Sequence, residues 1–146
     1  MLKKIGIGLV VILILMQFKQ IDKTNPEYNE TEDFITMTQP PREIANLIEY
    51  ACYDCHSYQV IYPWYSSIAP ISWMIEHHIE EGREHLNFSQ WASYDKVKAN
   101  HKLEECVEEI EKGNMPMKSY VVMHRDAKMT KKQQKALTDF FESQRK

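Results

Sequence analysis

The chain has 146 residues and a formal net charge of −3, which allows one modest domain. Three lysines lie among the first nineteen residues, so the remainder carries 15 basic against 21 acidic side chains, a balance that excludes a nucleic-acid-binding protein. Three cysteines, an odd count, do not favour a framework of disulfides.

The first predicted element is an apolar segment at the N-terminus. Lys3 and Lys4 precede residues 5–16, a run without charged or polar side chains that is typical of an export signal. The run is shorter than the roughly 17 residues of the shortest membrane spans, but no small-x-small cleavage pattern follows it. We therefore predict an uncleaved signal anchor or transmembrane helix over residues 1–19, with a buried core helix as the alternative. The positive-inside rule then predicts a single-pass protein of the cytoplasmic membrane with its domain on the periplasmic side.

The next segment, residues 20–40, is polar and contains few apolar side chains. Two proline sites, Asn25-Pro26 and Pro40-Pro41, interrupt it, and no steady period of hydrophobic residues is visible. This composition predicts a flexible tether between the membrane and the domain.

Residues 41–146 are predicted to form an all-α domain. Apolar residues recur at helical spacing in four stretches, and nowhere do they alternate strictly as in a strand. Gly113-Asn114 is a typical stop for the third helix, and Thr130 with Gln133 resembles a capping box at the start of the fourth. The stripes are Ile44, Leu47, Ile48 and Ala51; Ile71, Met74, Ile75, His78 and Ile79; Leu103, Cys106, Val107 and Ile110; and Leu137, Phe140 and Phe141.

The first of these helices ends in the run Cys52-Tyr53-Asp54-Cys55-His56. The spacing C-x-x-C-H lets one helical turn present two thiols to the vinyl groups of a c-type haem while the next imidazole reaches the iron. The sequence therefore predicts one covalently bound haem c held by Cys52, Cys55 and His56.

Two other interpretations of the motif stay open. A thioredoxin-like dithiol would lie between a strand and a helix, and the sequence predicts no strand there. A zinc site would need two further ligands at suitable spacing, and no second C-x-x-C or well-placed histidine pair occurs. The third cysteine, Cys106, lies on an apolar stripe and is predicted to be a small core residue.

Beyond the motif, the chain resembles the bacterial haem-binding domain family, which consists of small exported modules with a single C-x-x-C-H. The resemblance extends from about Pro41 to the C-terminus and implies haem binding in a cytochrome c-like arrangement. It is carried by Cys52 to His56 with Ser57, Tyr62-Pro63-Trp64-Tyr65-Ser66, Ala69-Pro70-Ile71-Ser72-Trp73, Gly82-Arg83, Leu86-Asn87-Phe88-Ser89 with Trp91, Gly113-Asn114-Met115-Pro116, and Tyr120 with His124.

Met115 is predicted as the second axial ligand, opposite His56. It follows a helix end, and Met115-Pro116 resembles the distal ligand loop of small cytochromes c; a thioether is a soft ligand suited to ferrous haem. Met117, Met123 or His124 are the alternatives, as is an open sixth position.

Further residues are predicted around the cofactor. Four aromatic residues are expected to wall the haem or to fill the core: Trp64, Tyr65, Trp73 and Trp91. Arg83 is the first choice for a haem propionate, because a guanidinium matches a carboxylate, with Tyr62 and Tyr120 as alternatives. The remaining histidines His77, His85 and His101 are expected on polar faces.

These residues favour electron transfer outside the cytoplasmic membrane, with redox partner proteins that the sequence does not identify. The chain shows no nucleophile-base pair or second cofactor loop, so we predict a carrier and not an enzyme. A haem-based redox or gas sensor, and a peroxidase-like enzyme that would use His124, are the alternatives.

Overall fold

A computed structural model describes residues 2–145. Met1 and Lys146, the outer ends of the predicted anchor and the predicted domain, lie outside this range. Helices occur throughout it, and no strand is found among the described residues, which confirms the all-α prediction.

Eight α-helices and four short 3₁₀-helices make up the described chain. A π-helical turn, Glu49–Tyr53, joins α3 to α4, so that one continuous helical stretch ends at His56. The α-helices are α1 (Leu2–Met16), α2 (Phe34–Thr38), α3 (Arg42–Ile48), α4 (Asp54–His56), α5 (Ile71–His85), α6 (Lys96–Lys112), α7 (Lys118–Met123) and α8 (Lys131–Gln144). The 3₁₀-helices are Glu30–Glu32, Trp64–Ser67, Phe88–Ser93 and Arg125–Ala127.

Helix α1 covers most of the predicted anchor. Its apolar side chains remain outside the core, and those from Leu9 to Leu15 are each 47–61% exposed. None of the helices between residues 2 and 145 combines the length and apolar character needed to cross a membrane.

The stretch predicted as a flexible tether differs in the structure, because much of residues 20–40 is folded onto the domain. The Asn25 side chain pairs with both backbone groups of Val60, at 2.9 and 3.2 Å. Asp33 caps α2 by accepting from Ile35 N at 3.0 Å, and Phe34 is completely buried. A single phenylalanine in a polar stretch produces no periodic signal, yet it anchors this segment through tertiary packing.

The core lies where α3, α6, α8 and the turn Phe88–Ser93 meet. Phe34 lies at its centre, with ring centroids 5.1 Å from Phe88, 4.7 Å from Trp91 and 5.9 Å from Phe141. Burial of such aromatic rings supplies much of the hydrophobic stabilisation of a small domain. The same packing fixes the positions of the helices that surround the C-x-x-C-H motif.

Two helix ends follow the predicted signals, whereas α5 continues past Gly82 to His85. Gly113, with φ of 72°, terminates α6, and Thr130 and Gln133 form the capping box at α8. Two stretches differ from the sequence interpretation. Residues 115–129, which carry none of the predicted helical stripes, contain α7, and the first turn of α5 is outside the core, with Ile71 45% and Met74 59% exposed.

Candidate functional site

A cavity of about 520 Å³ lies beside the C-x-x-C-H motif, within the range of about 300–1,000 Å³ typical of ligand sites. Its lining comes from the motif, from α5 and α6, from the loop after α6, and from α7 and α8. The residues are Ala51, Cys52, Asp54, Cys55, His56, His78, Glu81, Gly82, His85, Leu86, Phe88, Lys102, Glu105, Cys106, Glu108, Glu109, Ile110, Met115, Pro116, Met117, Tyr120 and Phe141.

The two motif cysteines lie on the same side of this cavity. Cys52 belongs to the π-helical turn, and Cys55 lies within α4, so both thiols face the ligand space. Burial raises the pKa of Cys52 to about 12 and that of Cys55 to about 11. Both are therefore neutral thiols at physiological pH, and neither is bonded to another cysteine.

The His56 imidazole is fixed by the backbone of α5 and the residue that follows it. Its Nδ1 lies 2.8 Å from Gly82 O and 3.1 Å from Leu86 O. Both partners are acceptors, so Nδ1 carries the proton and Nε2 keeps its lone pair. Burial also lowers the pKa of His56, which favours the neutral ring. This is the orientation and protonation state that a metal-binding histidine needs.

Gly82 lets α5 approach the motif closely. A Cβ at this position would lie 2.6 Å from Cys55 O, so only glycine fits without displacing one of the two helices. The neighbouring Arg83 donates from Nε to Ser57 O at 2.8 Å, and its guanidinium lies 5.0 Å from the Tyr58 ring centroid. Together, Gly82 and Arg83 attach α5 to the end of the motif helix.

Met115 and Met117 lie in the lining contributed by the loop after α6, and Met115 is 36% exposed. Met115 N donates to Glu109 O at 3.1 Å, which ties the loop to the last turn of α6. Of the other predicted ligands, Met123 and His124 are not among the lining residues. Both His124 ring nitrogens already have partners, at 3.1 Å to Tyr120 O and 3.3 Å to Tyr65 Oη.

Three residues that the sequence places at the haem do not line this cavity. Trp64 is 75% exposed, and Tyr65 Oη lies 3.3 Å from Nε2 of His124, a residue that is also outside the lining. Arg83 is committed to Ser57 and Tyr58, although its Nη2 is buried without a hydrogen-bond partner. Tyr65 and Arg83 instead make contacts beside the site, with His124 and with Ser57 and Tyr58.

Other lining residues carry signals that sequence reasoning missed or left undecided. Lys102 is the one lysine or arginine among the described lining residues, with a side chain 15% exposed, and donates to Glu105 at 2.6 Å. Tyr120 Oη donates to Asp54 Oδ2 at 2.7 Å and links α7 to the motif. His78 and His85 also line the cavity. Their i, i+7 spacing places them on one face of α5 together with Gly82, and this is the signal that could have revealed them.

Comparison with known protein families identifies the family of this chain. Residues 11–143 match the haem-binding domain family. The chain belongs to this family. No curated protein and no solved structure matches the haem-binding domain described here. The match extends over the motif, the cavity and all of α2 to α7, so the predicted resemblance is confirmed and haem is the cofactor of the domain.

Proposed function

We propose that this haem-binding domain holds one haem c through thioethers to Cys52 and Cys55, with His56 as the proximal ligand. One observation carries the proposal: His56 is held by two backbone carbonyls in the tautomer that leaves Nε2 available, in the same cavity as both thiols. The donor set fits the group, because thiols add to vinyl carbons and imidazole binds iron. A zinc role gains no support, since no group of three metal-binding His, Cys, Asp or Glu side chains occurs within residues 2–145.

Met115 is our proposed second ligand. It lines the cavity, its loop is fixed to α6, and Pro116 has no N–H to compete for acceptors. Met117 is the neighbouring alternative. Lys102, the lining residue with a fixed positive charge, replaces Arg83 as the candidate partner of a haem carboxylate.

We further propose that the domain is an electron carrier and not an enzyme. Haem supplies an iron that changes oxidation state by one electron. The surrounding side chains contribute burial and fixed ligands, which limit rearrangement during that change. His124, the acid-base group that a peroxidase-like reaction would need, is already bonded through both nitrogens.

The place of action that we propose is the outer side of the cytoplasmic membrane, with α1 as the attachment. The seven consecutive residues from Leu9 to Leu15 are all apolar and about half exposed. Because they span nearly two helical turns, the apolar surface extends around the full circumference of α1. Lys3 and Lys4 at its start favour retention of that end in the cytoplasm. Haem attachment of this type occurs on the opposite side.

The experiment is a pyridine haemochrome spectrum of the full chain, matured with haem-attachment machinery. We expect the two-thioether spectrum and pigment that acid acetone does not extract. Cys52→Ala and Cys55→Ala should each give the one-thioether spectrum. Cys106→Ala is the matched control, because this cysteine lines the same cavity and should leave the spectrum unchanged. Pigment extracted from the unsubstituted chain would contradict covalent attachment.

A further inference from the structure

The end of α1 is fastened to the domain next to the start of α5. The Gln17 amide makes two bonds with Ala69, donating from Nε2 to Ala69 O and accepting from Ala69 N, both at 3.0 Å. Two residues later, Lys19 O accepts from Trp73 Nε1 at 2.9 Å. The apolar helix therefore leaves the domain at a defined point, where a flexible tether was predicted.

Around this point the domain presents a group of exposed apolar side chains, which we call the collar: Phe18, Ile68, Ile71 and Met74. Their exposed fractions are 83%, 40%, 45% and 59%. Ile68 and Ile71 flank Ala69 and Pro70 in the chain, and Met74 follows Ile71 by one turn of α5. The collar is thus continuous with the apolar surface of α1.

The chemistry of this surface fits a lipid bilayer. A protein groove would cover one stripe of α1, whereas its apolar side chains are exposed on all sides. The Trp73 indole lies beside the end of α1, where it donates to Lys19 O. Tryptophan is enriched at the interface between membrane and water. Lys19 lies over the Trp73 ring at 5.7 Å, and Lys23 contacts Ser67, so two cations lie where acidic lipid headgroups would meet them.

We propose that the collar docks the folded domain directly on the bilayer surface, with the Gln17–Ala69 pair as the clamp that fixes its orientation. This inference rests on the proposed membrane attachment through α1. It adds that the haem cavity keeps a constant orientation relative to the membrane, which a domain on a flexible tether would not have.

Two methionines provide a matched test without substitution. Met74 is 59% exposed in the collar, and Met37 is 50% exposed on α2. Helix α2, which carries Met37, packs on the turn Phe88–Ser93, and this turn follows the C-terminal end of α5. That end lies about 22 Å from Ile71 along the helix axis. The haem-loaded full chain would be placed in vesicles of phosphatidylethanolamine and phosphatidylglycerol, and radiolytic methionine oxidation would be measured by mass spectrometry.

We expect Met74 to oxidise about threefold more slowly than Met37, since side chains at such surfaces are buried roughly 5–10 Å into the headgroup boundary. Equal oxidation of the two methionines in vesicles that carry the chain would overturn docking and leave membrane attachment intact. A chain that does not float with the vesicles would overturn both proposals.

The clamp is tested by Gln17→Ala against Gln20→Ala. Gln20 is the same residue type and donates only to Gln17 O, at 2.7 Å, within its own segment. We expect Gln17→Ala to bring the oxidation of Met74 close to that of Met37, while Gln20→Ala retains the difference. Retained protection of Met74 in Gln17→Ala would overturn the role of the clamp.

Discussion

The two sides of the cavity are built differently. On the side of His56, the proposed proximal ligand, the imidazole has two backbone partners, and Gly82 allows a contact that no other residue would permit. On the distal side, Met115 lies in a loop, is 36% exposed, and is held through its backbone at the end of α6. The proximal side is therefore preorganised by tertiary packing, whereas Met115, the proposed second ligand, is restrained through its backbone.

The two sides of the cavity thus meet two different requirements of a haem site, rigid positioning on one side and an available donor on the other. In the proposed arrangement, attachment and orientation of the haem would depend on rigid contacts, while the second ligand would need only a donor within reach. Substitutions on the proximal side should therefore reduce folding stability, and those on the distal side should change the spectrum with little effect on folding.

The largest effect is expected for Gly82→Ala. The added Cβ would meet the Cys55 carbonyl at 2.6 Å, so α5 must move away and the His56 bond weakens. We expect the free energy of unfolding, measured with urea, to fall by about 2–3 kcal/mol. Gly8→Ala is the control, because no atom lies within 4 Å of its Cβ. Equal stability of the two variants would contradict the close approach.

The second largest effect on stability is expected for Asp33. This residue of the N-terminal segment contacts Tyr53 of the C-x-x-C-H motif. Its buried carboxylate accepts from Tyr53 Oη at 2.7 Å and from Gln59 Nε2 at 3.1 Å. Asp33→Ala leaves the buried Tyr53 hydroxyl and the half-buried Gln59 amide without this partner, and we expect the free energy of unfolding to fall by about 2 kcal/mol. Asp22→Ala removes an exposed carboxylate and should not move the urea midpoint. An unchanged midpoint for Asp33→Ala would refute this supporting role.

Alkaline pH should lower the free energy of unfolding through the Tyr53 hydroxyl that donates to Asp33. Burial, with the bond to Asp33, raises the pKa of Tyr53, so above pH of about 10 the unfolded chain loses this proton first. The folded state then binds more protons than the unfolded state, and stability falls as pH rises, by up to about 1.4 kcal/mol per pH unit. Tyr53→Phe should show a shallower decline in urea titrations between neutral and alkaline pH. Parallel declines would contradict the assignment to Tyr53.

The smallest effect on stability is expected for Met115→Ala. A third of this side chain is already exposed, so we expect a loss below about 1 kcal/mol. The near-infrared sulfur-to-iron band should nevertheless disappear, and the reduction potential should fall, because Met/His ligation raises it. Met117→Ala, from the same lining, should retain the band. A band that survives Met115→Ala and vanishes in Met117→Ala would reassign the ligand.

Helices α3, α6 and α8 and the grouping of the three C-x-x-C-H side chains could be predicted from sequence, since both depend on short-range patterns. Periodic apolar residues place α3, α6 and α8, and the C-x-x-C-H spacing places both thiols and the imidazole beside one cavity. Thr130 and Gln133 likewise act within four residues, and their capping box was predictable for the same reason.

Contacts between distant parts of the chain could not be predicted in this way. Phe34 enters the core because Phe88, Trp91 and Phe141 converge on it, and nothing beside it in sequence indicates this. Arg83 has the chemistry for a carboxylate, but the fold places Ser57 O within 2.8 Å of it. The first turn of α5 carries a helical stripe, yet it faces the end of α1 outside the core.

The proposed attachment to haem would consume two of the three cysteines, so a count of the free thiols tests it directly. The matured full chain would be reduced, denatured and alkylated, and its mass would be measured. We predict one alkylated cysteine, Cys106, on a chain that keeps the mass of one haem. Three alkylated cysteines on a chain without the mass of a haem would contradict covalent attachment.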